Sequence, residues 1–169
     1  MRRQIRSSVF ETNSSSTHAI CISKKRVDLD KLRGTTVHFF CGTFGWEVDE
    51  YNTLEDRASY LYQAILDLNY DDVEKRSEML NRIVDILGKY DIDCYFKPPE
   101  TDRWGFNEGY IDHANQTEEF VEAVLHNENR LLEYLFGDSI IFTGNDNDEI
   151  DLPLDDISEK DYEIYYKGN

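Results

Sequence analysis

Apolar and polar positions alternate most cleanly at Thr17-His-Ala-Ile-Cys-Ile-Ser23. A period of two puts Ile20 and Ile22 on one face of a strand and Ala19 and Cys21 on the other. Thr35-Thr-Val-His-Phe-Phe-Cys41 is β-branched and aromatic and predicts a second strand. Gly42 and Gly45 then allow a tight loop. Further on, the spacing becomes helical. Leu54, Ala58, Leu61, Ile65 and Leu68 recur at three and four, predicting an amphipathic helix over 54–69. Thr53 with Asp56 supplies its N-cap and acidic first turn. A second helix is predicted over 72–87, with Val73, Leu80, Ile83, Val84 and Leu87 inward and Gly88 as its terminator. Ile92 to Phe96 reads as a strand stopped by Pro98-Pro99, and 100–116 as a polar and aromatic loop. Thr117 caps a helix through Phe120, Val124 and Leu125, whose continuation from Arg130 to Phe136 ends at Gly137. Ser139 to Thr143 is a short strand, and Tyr162 to Lys167 an edge strand. Strands and helices come in blocks. That order predicts an α+β fold: one domain over 1–169, a mostly antiparallel sheet covered by about four helices.

Composition narrows the class. The chain has 169 residues, 40% of them apolar, with eleven Tyr, nine Phe and two Trp. That is enough to bury a core, and it excludes a disordered chain. No apolar run approaches the ~20 residues of a membrane span. The basic start, Met-Arg-Arg-Gln-Ile-Arg, is not followed by a long apolar stretch, so no secretory signal is read. Cys21, Cys41 and Cys94 are far apart, with no CxxC. An odd, scattered set of thiols fits a reducing compartment, and the expectation is a cytoplasmic protein.

Charge changes the picture further. The net charge is −17. Residues 1–35 carry eight Lys/Arg against three Asp/Glu, a balance of +5, whereas 36–169 carry ten against thirty-two, a balance of −22. Such a field repels nucleic acid and attracts basic surfaces, including those that hold nucleic acid. Either the acidity only keeps the protein soluble, or the partner is a basic nucleic-acid-binding protein, with no direct contact to nucleic acid. Arg2, Arg3 and Arg6, with Lys24, Lys25 and Arg26, are expected to pack on the protein's own acidic surface or on an acidic neighbour in a homo-oligomer.

Few motifs carry chemistry. There is no GxxxxGK[ST], GxGxxG or GxSxG. Asn145-Asp-Asn-Asp-Glu149 invites a calcium loop, but counting from Asp146 the sixth residue is Asp151 and the twelfth Ile157, so the EF-hand pattern fails. A solvated acidic turn is the simpler reading. Val9-Phe-Glu-Thr-Asn-Ser-Ser-Ser-Thr-His18 places hydroxyl residues before a His at a strand start. It presents His18 as a ligand or base, or is a capped turn followed by an ordinary His.

Phe10-Glu-Thr-Asn-Ser-Ser-Ser-Thr-His18 resembles the opening of a family of small phage and mobile-element proteins. Three later segments match the same family in order: Phe44-Gly-Trp-Glu47, Gly109-Tyr-Ile-Asp-His113 and Thr143-Gly-Asn-Asp-Asn-Asp148. The family includes a zinc-bearing type II-A anti-CRISPR, an inhibitor of Cas9. The resemblance thus implies a structural zinc and Cas9 as partner, whose guide-target heteroduplex lies in a positively charged channel. Resemblance and residue chemistry together point to His18, Glu47 and His113 as ligands, with Cys41 as the fourth and Asp112 as an orienting partner or a ligand itself. The competing reading makes His113 a cap for the next helix and the cysteines small core residues. For the partner contact, Asp146, Asp148, Asp155 and Asp156 are the candidates. The expected role is binding rather than catalysis. The alternative is a small metal-dependent hydrolase using His18, Glu47 and His113.

Overall fold

The computed structural model describes residues 16–45, 48–100, 109–145 and 157–167. The architecture is α+β. Strand β1 is Ser16–Ser23, β2 Thr36–Phe39, β3 Thr43–Phe44 and β4 Asp49–Tyr51. Helices α1 (Leu54–Leu68) and α2 (Val73–Gly88) follow. Then come β5 (Asp93–Phe96), β6 (Tyr110–Ile111), α3 (Glu118–His126), α4 (Glu128–Phe136), β7 (Ile140–Asn145) and β8 (Tyr162–Lys167). The main sheet is antiparallel, in the order β4-β7-β1-β8, so β8 is at an edge as the sequence suggests. Two small parallel pairs, β2-β5 and β3-β6, stand apart from it.

β1 divides the apolar residues as its alternation predicts. Ile20 and Ile22 enter the main core, while Ala19 and Cys21 join a smaller cluster with Phe142. α1 runs through the main core. It opens with a capping box in which the Thr53 hydroxyl accepts from the Asp56 amide and the Asp56 carboxylate accepts from the Thr53 amide. Its buried face includes Ala58, Leu61 and Ile65.

Four features differ from the sequence pattern. Val73 and Val84 point outward, at 60% and 43% exposure. The buried stripe of α2 is Ile83, Ile86 and Leu87, flanked by Met79 and Leu80. Val84 lies about 100° around the helix from Ile83, so the two cannot both face the core squarely. Ile86→Ala should therefore cost about 2–4 kcal/mol in chemical denaturation, and Val84→Ala less than about 0.5 kcal/mol. Gly88 is the last residue of α2, and the chain turns at Lys89. The segment from Thr117 to Phe136 is two helices, broken at Asn127, whose side chain accepts from the Arg130 amide and caps α4. The stretch 100–116, expected as loop, contains β6 and, from Ala114, a 3₁₀ turn that runs to Thr117.

Burial also encloses a full charge at Arg57. Arg57, 6% exposed, donates from Nε (3.2 Å) and Nη2 (2.8 Å) to the Leu135 carbonyl. Its Nη1 donates to the carbonyls of Asn52 (2.6 Å) and Ser139 (2.7 Å). Leu135 is in the last turn of α4, where carbonyls lack helical partners and the dipole favours a cation. The guanidinium thus joins the end of α4 to the starts of α1 and β7.

Candidate functional site

The described parts of the four motif segments meet around His18. β1 and β7 pair with His18 opposite Thr143 and Thr17 opposite Gly144. β3 and β6 pair with Phe44 opposite Ile111, and the Asp112 amide donates to the Phe44 carbonyl at 2.9 Å. His18 shares the core-facing side of β1 with Ile20 and Ile22, by the period of two, and is 2% exposed.

Its ring is held at both nitrogens. Nε2 lies 2.8 Å from the Asp112 carbonyl, and Nδ1 lies 3.0 Å from the Tyr60 hydroxyl. A carbonyl only accepts, so the proton is on Nε2; in the neutral ring Nδ1 then accepts from Tyr60. The charge state agrees. Burial holds the imidazole below its ordinary pKa, outweighing the raising effects of the Asp112 carbonyl and carboxylate. Burial also pushes the Tyr60 phenol far up, so it stays a donor.

Gly45 completes the enclosure. Its φ is +94°, and a Cβ there would lie 2.6 Å from His18 Cε1 and 2.9 Å from Nε2. Both the left-handed backbone and the close approach require glycine. Gly45→Ala should lower stability by about 2 kcal/mol, seen as a reduced urea midpoint. From α1, Gln63 Oε1 accepts from the Gly42 amide (3.2 Å), and Asp67 accepts from Gln63 Nε2 (2.9 Å) and the Ile111 amide (2.6 Å). These bonds fix the β3-β6 pair on the helix.

The sequence candidates fall out unevenly. The backbone carbonyl of Asp112 accepts from His18 Nε2. The carboxylate instead lies 3.3 Å from Nδ1 of His113. His113 is in the left-handed region at φ 56°, heads the 3₁₀ turn and makes no capping hydrogen bond with its side chain. Cys41 is half-buried and packs against the main core. Cys21 and Cys94 are desolvated, which raises each thiol to about 11. Glu47, Asp146, Asp148, Asp155 and Asp156 lie outside the described residues. Among the described residues no three His, Cys, Asp or Glu side chains gather to hold a metal. As arranged, both nitrogens of His18 serve the chain itself, so the described residues do not fit a tetrahedral zinc set. Sequence reasoning missed Tyr60, which reads as one more core aromatic of α1.

Of the basic residues expected to pack on the acidic surface, Arg2, Arg3 and Arg6 lie outside the described residues. Lys25 pairs with Asp138 at 2.9 Å, and Lys24 Nζ donates to the Glu159 carbonyl at 2.7 Å. Lys31 and Arg33 pair with Asp28 and Asp30. Among the described residues no helix is long and apolar enough to cross a membrane. Compared with family models, curated proteins and solved structures, the chain matches none.

Proposed function

We propose that this protein is a phage-type inhibitor that docks an acidic surface onto the basic nucleic-acid-binding groove of a host defence protein. Cas9 is the partner that the motif resemblance names. The observation that carries the reading is the charge segregation: −22 over residues 36–169. Lys24, Lys25, Lys31 and Arg33 each meet an acceptor of their own chain, which offsets part of the basic charge of that stretch. Such a field speeds association with a basic groove and makes it depend on salt. The hydrolase alternative asks a His18 nitrogen to face a metal or water, and Tyr60 and Asp112 occupy both.

The test is DNA cleavage by Cas9 with the protein added before or after guide loading, at low and high salt. The expected result is inhibition when it is added first, weakening steeply as salt rises. Reversal of Asp146, Asp148, Asp155 and Asp156 to Lys should abolish inhibition while the melting temperature holds. Absence of inhibition at any salt, with no retention on immobilised Cas9, would remove Cas9 as the partner.

A further inference from the structure

The pair β2-β5 has two unlike faces. Val37 and Phe39 point inward and are buried, whereas Thr36 and His38 point outward and are exposed. The outer face carries a row of rings. His38 and Phe40 stack at 5.9 Å between centroids and 16° between planes. Tyr95, opposite His38 across the ladder, lies 5.4 Å from it and is 48% exposed. A shallow cleft of about 480 Å³ adjoins this row, lined by Thr36, His38 and Glu55 among others. Asp93 sits opposite Thr36 on the same outer face. Neither Glu55 nor Asp93 is paired with a cation among the described residues.

We propose that this outer face of β2-β5 is the docking surface for an arginine-bearing segment of the basic partner. The inference rests on the acidic-inhibitor reading and adds a place and a side-chain chemistry to it. Guanidinium is planar and weakly hydrated, so it stacks on aromatic rings where ammonium gains less. Its edge presents paired N–H donors to carboxylates, and Glu55 and Asp93 flank the rings. Glu55 also offsets the positive end of α1, which borders the cleft. A net charge of −17 favours a cationic occupant over a nucleic-acid base, although bases too stack on such rings.

The experiment uses the full chain and three probes: oligoarginine, oligolysine of equal length, and oligothymidine. Binding is read by fluorescence anisotropy and by NMR shifts of the His38 and Tyr95 rings. Oligoarginine should bind tighter than oligolysine and move both rings. Tyr95→Ala should weaken oligoarginine about tenfold and oligolysine little, and Tyr95→Phe should restore it. Equal binding of both peptides with both rings unmoved would overturn this placement while leaving the acidic reading intact. Binding of neither peptide would overturn both. Oligothymidine moving the rings while oligoarginine does not would reassign the face to nucleic acid.

Discussion

Arg57→Met will destabilise the protein by about 3 kcal/mol, the cost of leaving buried carbonyls without their donors. The substitution keeps much of the volume but leaves the carbonyls of Leu135, Asn52 and Ser139 without the guanidinium donors. Buried acceptors without donors are costly because water cannot replace the lost partner. Arg57→Lys should lose less, about 2 kcal/mol, since an ammonium keeps the charge but cannot fork to three carbonyls. Urea unfolding of the three proteins measures this. If Met and Lys both fall within 1 kcal/mol of the parent, the guanidinium is not the clamp described.

His18→Gln should have a second large effect, and one that depends on pH. The variant leaves one partner of the ring unmet, either the Tyr60 hydroxyl or the Asp112 carbonyl, and should cost about 2–3 kcal/mol near neutral pH. In the unfolded chain an imidazole titrates near ~6.5, and burial holds the folded value lower. Below about pH 6.5 the unfolded chain therefore binds a proton that the folded chain resists, so parent stability falls as pH falls. The slope reaches at most about 1.4 kcal/mol per pH unit and ends at the folded pKa. His18→Gln lacks that contribution, so the gap between parent and variant should narrow on acidification. Denaturation curves between about pH 5 and pH 8 read the gap directly. A constant gap would mean that His18 titrates alike in both states.

Legibility in the sequence follows the range of the interaction that decides each feature. α1 was legible because its cap is Thr53 reaching Asp56, three residues away, and its stripe repeats every turn. The two faces of β1 were legible for the same local reason. α2 was legible as a helix but not in its rotation, because Val73 and Val84 are apolar and still outward. β3 and β6 are two residues each, too short for any period, and exist because α1 holds them through Gln63 and Asp67. The candidate site was legible only as a set of segments. That His18 is a closed node depends on Tyr60 and Asp112, which the fold brings to it from distant parts of the chain. No local pattern reports a partner 94 residues away.

The place of β1 in the main sheet also bears on how the protein is made. Both of its neighbours, β7 and β8, lie more than a hundred residues later in the chain. During synthesis, β1 leaves the ribosome with neither edge able to pair, while α1 and α2 can already pack. The sheet closes only when the last strands arrive, a long-range step that slows folding. Until then the Thr17–Ser23 stretch is an unpaired β-forming segment of the sort that invites association between chains. A ribosome stalled before Ile140 would hold a nascent chain with its helices and the pairs β2-β5 and β3-β6 but without its main sheet.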